Sequence, residues 1–140
     1  SKTRRSWRVT LTGAALFMLM DVIIDPVAFR GDRWFLGKIY TYDEGGGYFN
    51  IPLTNFWGWF LVGTAILFSY TRIEPWLKGW HVLGPFKVPA NALYGPALYF
   101  GVLIFNLVVT FYIRETLLGI YGVLLFSSLL GSAILKANPP

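Results

Sequence analysis

Two acidic residues, Asp21 and Asp25, lie four positions apart in an otherwise apolar run from Val9 to Phe29. In a helix that spacing puts both on one face, the first about two turns and the second about one turn from the end of the run. An ionised carboxylate surrounded by hydrocarbon is costly, so each must hold a proton, pair with a base such as Arg30 or Arg33, or face a wet cavity. Desolvation and mutual repulsion both favour keeping a proton on the pair, and a carboxyl protonated near neutral pH suits a general acid. The competing reading is structural, with Asp25 capping the following loop and bridged to an arginine.

The other candidates are weaker. Tyr48-Phe49-Asn50-Ile51-Pro52-Leu53-Thr54-Asn55-Phe56-Trp57-Gly58-Trp59 combines aromatics with a proline and an asparagine at a helix entrance. Asn55 can act as an N-cap, or its amide can orient water or a carboxyl beside Asp25. Trp34, Phe35, Tyr40, Tyr42, Tyr48, Phe49, Trp57 and Trp59 form either an interfacial belt or the wall of a groove for a long flat apolar molecule. His81 is the one histidine and there is no cysteine, so no metal-ligand spacing occurs and an interfacial histidine is the simpler reading. Gly45-Gly46-Gly47 lacks the Lys-Ser/Thr of a phosphate loop and reads as a flexible hinge. Asn106, Ser127 with Gly131, and Ser128 with Ser132 read as helix-packing positions, and Arg114-Glu115 as a solvated pair.

Positioning these residues requires a membrane. Of 140 residues, 55% are hydrophobic and 14% charged, and mean hydropathy is +0.53; soluble chains carry about 25% charge. One soluble core of this length cannot hide so much apolar surface, which argues against a free-standing soluble enzyme, a disordered chain or a disulfide scaffold. The sequence predicts an all-α integral membrane protein, a single transmembrane domain over residues 1–140. Its helices fall near 9–29, 55–71, 91–113 and 116–136, with a long aromatic-rich loop between the first two. The first run covers about 31 Å, matching a hydrocarbon core of about 30 Å. One straight helix from Asn91 to Lys136 would reach about 69 Å, so the chain must turn there, and Arg114-Glu115 is its charged pair. Residues 72–90, with Pro75, Pro85, Pro89, Trp76 and Trp80, read as an interfacial connection.

The net charge of +5 does not point to nucleic acid. Lys2, Arg4, Arg5, Arg8, Arg72, Lys78, Lys87 and Lys136 fall on one side of this topology, and Arg30, Arg33, Lys38 and Arg114 on the other. That bias predicts both termini cytoplasmic and the aromatic loop on the opposite face; the expected location is a bacterial inner membrane.

Asp25-Pro26-Val27-Ala28, Arg30-Gly31-Asp32-Arg33-Trp34-Phe35-Leu36-Gly37, and Tyr48 through Phe56 with Gly58-Trp59 resemble the carotenoid biosynthesis membrane proteins. That family includes carotenoid 1,2-hydratases acting on γ-carotene and bisanhydrobacterioruberin. Phe105-Asn106-Leu107 and Thr110-Phe111 with Glu115 are similar too. The likeness runs from about Leu16 to Glu115 and corresponds to the C-terminal half of family members, which are about twice as long. Asn50 departs from the pattern, standing where glycine is expected.

The resemblance implies hydration of the terminal alkene of an acyclic or monocyclic carotenoid to a tertiary alcohol, with no cofactor. For that chemistry the residues themselves suggest Asp25 as proton donor, Asp21 as the neighbour modulating its acidity, and Asn55 and Tyr48 as water-orienting groups. Trp34, Phe35, Phe49, Trp57 and Trp59 would form the substrate wall. The implied partners are membrane lipid and a carotenoid. The alternative is a non-catalytic accessory subunit of a larger membrane assembly, for example a photosynthetic one, binding carotenoid or lipid among other transmembrane subunits. A transporter module is disfavoured, because one helix alone carries buried acids and no repeat is present.

Overall fold

The computed structural model describes residues 7–77 and 94–137, with the side chains of 77 and 133–137 left aside. His81, the connection beyond Leu77, residues 91–93, and the basic residues Lys2, Arg4 and Arg5 lie outside the described residues. Four α-helices follow in order: α1 Trp7–Phe29, α2 Leu53–Leu77, α3 Tyr94–Tyr112 and α4 Thr116–Ala137. No strand occurs among the described residues, and the α1–α2 connection carries a 3₁₀ turn at Gly31–Arg33. Among the described residues two helices, α1 and α3, are long and apolar enough to cross a membrane.

Helix α2 is longer than the sequence predicts. It starts at Leu53 and continues past Thr71 through Pro75. A proline so near a helix end forfeits one backbone bond, while apolar Ile73 and aromatic Trp76 continue the pattern beyond the arginine.

Helix α1 is the hub and packs against each of the other three. It runs antiparallel to α2: Trp7 stacks on Phe68 at 5.5 Å at one end, the Phe17 ring meets Trp59 edge-on at 5.7 Å midway, and Asp25 reaches Asn55 at the other. It runs parallel to α3, since the Tyr99 hydroxyl donates to the Leu16 carbonyl at 2.8 Å and Val27 clusters with Val109, Ile113 and Leu118. Close approach depends on small residues. A Cβ on Gly63 would sit 3.3 Å from Ala14 Cα, and one on Gly122 would lie 2.5 Å from a Leu107 methyl.

The small residues of the far half of α4 play a different part from that expected. Ser127 is exposed and a Cβ on Gly131 would meet nothing. Ser128 and Ser132 donate to the carbonyls of Leu125 and Leu129 on their own helix. Packing against α3 falls instead to Gly119 and Gly122. The buried Asn106 likewise serves its own helix, donating to the Val102 carbonyl at 2.9 Å. Large apolar side chains such as Leu61, Ile66, Ile104, Val108, Leu117 and Leu124 project outward from α2, α3 and α4. Such all-round apolarity suits a lipid or partner surface.

The α3–α4 turn falls where the Arg114-Glu115 pair predicts, without glycine or proline. Arg114 takes the left-handed conformation (φ 63°) that closes α3. The Glu115 amide donates back to the Thr110 carbonyl at 3.1 Å and the Arg114 amide to Phe111 at 3.0 Å. A side chain with a Cβ is disfavoured there, so Arg114→Gly should stabilise the folded protein by up to about 1 kcal/mol. Denaturation in mixed micelles checks this, with an unchanged or lowered midpoint as the contrary result.

Candidate functional site

The loop after α1 is folded back by a tight turn. Tyr48 and Ile51 pair across it, the Ile51 amide donating to the Tyr48 carbonyl at 2.8 Å, with Phe49 (φ 47°) and Asn50 (φ 71°) both left-handed. Asparagine is among the few residues that visit this region readily, which explains how Asn50 stands in a glycine position. Phe49 has no such excuse. Its ring packs on the Val27, Val109, Ile113 and Leu118 cluster and lies edge-on to Tyr48 and Tyr121, and that burial offsets the strain. Gly46 is a packing position in place of the expected hinge: an added Cβ would fall 2.0 Å from the Ile51 carbonyl carbon. The turn thus delivers Pro52 and the start of α2 onto the C-terminal end of α1.

Two arginines fix the same end. Arg30 Nε pairs with Glu115 Oε1 at 3.0 Å, and Arg30 Nη1 donates to the carbonyls of Pro26 (2.9 Å) and Phe49 (3.3 Å). Arg33 also pairs with Glu115 and donates to the Ile113 carbonyl. Neither arginine bridges an aspartate, and Glu115 pairs with them rather than with Arg114. The bases that sequence reasoning offered to the acid pair are therefore committed to tying the loop to the α3–α4 turn.

The carboxyls find neutral donors instead. Asn55 Nδ2 donates to Asp21 Oδ2 at 3.0 Å and to Asp25 Oδ2 at 2.9 Å, so a single amide bridges both acids across the α1–α2 contact. Asn55 lies within α2, and its side chain does this in place of capping the helix. Tyr40 donates its hydroxyl to Asp25 Oδ1 and to the Asp25 carbonyl at 3.2 Å, and Tyr42 donates to Asp25 Oδ2 at 3.3 Å. The two rings meet edge-on at 5.5 Å and both rest on Phe29. Asp25 is buried and Asp21 half-buried.

Two cavities flank the Trp59 indole. One, of about 480 Å³, is lined by Tyr42, Pro52, Thr54, Asn55, Gly58, Trp59 and Val62. The other, of about 180 Å³, is lined by Phe17, Met20, Asp21, Ile24 and Trp59. Of the aromatics expected to wall a substrate, Trp59 alone lines both. Trp34 donates its indole N–H to the Val27 carbonyl at 3.1 Å and packs with Phe49 on the cluster beside α3. Phe35 (83% exposed) and Trp57 (66% exposed) point outward. Tyr48 turns its ring onto Phe49 and Phe56, leaving the contact with Asp25 to Tyr40 and Tyr42.

The sequence of the carotenoid biosynthesis protein family matches this chain over residues 1–129. The chain belongs to that family. No curated protein and no solved structure shows a significant match to it. Within this carotenoid biosynthesis protein, sequence reasoning grouped Tyr40 and Tyr42 with the aromatic belt and missed their role. The available signal was their spacing of two in an extended segment, which lets neighbouring rings lie against one short stretch of α1.

Burial, then the acids beside them, hold both phenols in the neutral donor form. Tyr40 is raised well above the ordinary tyrosine range, and Tyr42 is pushed up to about 12 from 10.0. Burial also raises Tyr48. A group raised on folding adds stability that is complete below its unfolded value and is lost as pH climbs through the folded one. Tyr42 should therefore hold the loop in place up to pH 10 and release its share between 10 and about 12. The ultraviolet phenolate titration of the protein minus that of Tyr42→Phe should show a step near pH 12; a step near 10 contradicts the contact.

Proposed function

We propose that this carotenoid biosynthesis protein is a hydratase, adding water across the terminal C=C of an acyclic or monocyclic carotenoid to give a tertiary alcohol. The observation that carries the reading is the buried carboxyl pair bridged by Asn55 beside an apolar pocket walled by Phe17 and Trp59. A carboxyl proton is transferred to the less substituted alkene carbon, and the C=C electron pair forms the new C–H bond. The positive charge left on the tertiary carbon is stabilised by the adjacent carboxylate and the indole face. Water adds to the cation, and the proton it loses returns to the pair, so one water is consumed and the acid is regenerated.

The larger cavity, with Tyr42, Thr54 and Asn55 in its lining, is suited to the water, and the smaller apolar one to the alkene tip. Among the aromatic candidates Trp59 is the substrate wall; Trp34 and Phe49 hold the loop; Phe35 and Trp57 face lipid. All four helices span the membrane as one domain in this reading, since each is close to or longer than the hydrocarbon core and carries apolar residues outward. Both termini are cytoplasmic, by the distribution of Lys and Arg.

Expression of this chain in a carotenoid-producing bacterium should yield pigment heavier by one water. Asp21→Asn and Asp25→Asn should each lower that product by about 10²–10⁴-fold, the usual range for losing a general acid or base, while the protein still inserts. An accessory subunit gives the opposite result: no new pigment, and recovery in fixed ratio with a pigment complex.

A further inference from the structure

The two acids are not equivalent, and their surroundings divide the work between them. Asp25 is buried and its oxygens accept three hydrogen bonds, from Tyr40, Tyr42 and Asn55. Three donors converging on one carboxyl favour its ionised form, which can only accept. Among the described residues Asp21 accepts a single bond, from the same Asn55 nitrogen, and it contributes the carboxyl to the pocket lined by Phe17, Met20, Ile24 and Trp59. Because both carboxyls touch one nitrogen they face each other at close range, and one proton between them relieves the repulsion.

Among the described residues, the titratable and charged groups meeting Asp25 are Asp21 from its own helix and Tyr40 and Tyr42 from the loop. Helix α2 offers the neutral Asn55, and the nearby Arg30 and Arg33 are spent on Glu115 at the start of α4.

We propose that the proton of the pair resides on Asp21, which delivers it to the alkene, and that Tyr40 and Tyr42 are positioning residues that keep Asp25 ionised as its electrostatic partner. This inverts the roles that the sequence alone suggests for the two acids. The donor role rests on the hydration reading; the location of the proton does not. When Asp21 gives up its proton, Asp25 stabilises the tertiary cation from across the Asn55 bridge, and water's surplus proton returns to Asp21. Without the phenols, Asp25 competes for the proton and turns the pair away from the pocket.

The test is infrared spectroscopy of the reconstituted protein near pH 7, with aspartate ¹³C-labelled at its carboxyl so that the protonated C=O stretch is assigned to this residue type. The wild type should show a protonated-aspartate band that disappears in Asp21→Asn, where Asp25 keeps its three donors. The band should return in Asp21→Asn/Tyr40→Phe/Tyr42→Phe, in which Asp25 has lost the phenols. A band that persists in Asp21→Asn places the proton on Asp25 and overturns the proposal, as does its failure to return in the triple variant. Tyr→Phe keeps the ring contacts with Phe29, and unchanged helical circular dichroism confirms that each variant folds.

In the hydration assay Tyr40→Phe/Tyr42→Phe should lower kcat about tenfold with KM unchanged, as expected for losing hydrogen bonds to a charged group. If the bands behave as stated and no carotenoid gains water, the hydration reading falls and the assignment of the proton stands.

Discussion

The bridge from the Asn55 amide to Asp21 and Asp25 is the constraint around which the rest of this structure is arranged. Two carboxyls on one face of an apolar helix must be supplied with donors, because an unsatisfied acid in that setting costs more than any single packing contact returns. No residue of α1 can supply them. The donors have to come from elsewhere in the chain, so the loop must cross the end of α1 and α2 must begin against it. The folding-back turn, the close packing at Gly46 and the arginine clamp all serve that delivery.

Strain is placed accordingly. The two non-glycine left-handed residues with long side chains, Phe49 and Arg114, sit at the two bends meeting at this end of the bundle. Arg30 donates to the Phe49 carbonyl and pairs with Glu115, the residue after Arg114. Arg30 thus ties the two bends together, and the apolar cluster of Val27, Val109, Ile113 and Leu118 packs beside them. A structure that spends conformational energy at such positions needs a compensating network, and here the network fixes the loop carrying Tyr40 and Tyr42.

Much of this was legible in the sequence. Acids four apart in an apolar run define a helix face, and the charged pair at Arg114-Glu115 divides a stretch too long for one span. Asn55 was legible as a partner only because its distance from a proline-marked helix start was short. What stayed hidden was the choice among chemically equivalent partners. Three tyrosines, Tyr40, Tyr42 and Tyr48, stood within reach of Asp25 along the chain, and the turn geometry that decides among them depends on Phe49 adopting a conformation its residue type disfavours. The Arg33–Glu115 contact joins residues 82 apart, a separation that periodicity does not encode, so the arginines looked available to the aspartates when they were not.

The same arrangement supports the chemistry proposed for the acids. A salt bridge from Arg30 to Asp25 would have satisfied the buried charge and fixed both acids as anions or left the second unsupported. Neutral donors leave the decision open: phenols and an amide stabilise an anion without supplying a positive charge, so one carboxyl can be ionised while its neighbour, poorer in donors, keeps a proton. Diverting both arginines to Glu115 therefore does two things at once. It anchors the loop, and it withholds cations from a pair whose asymmetry would vanish beside them.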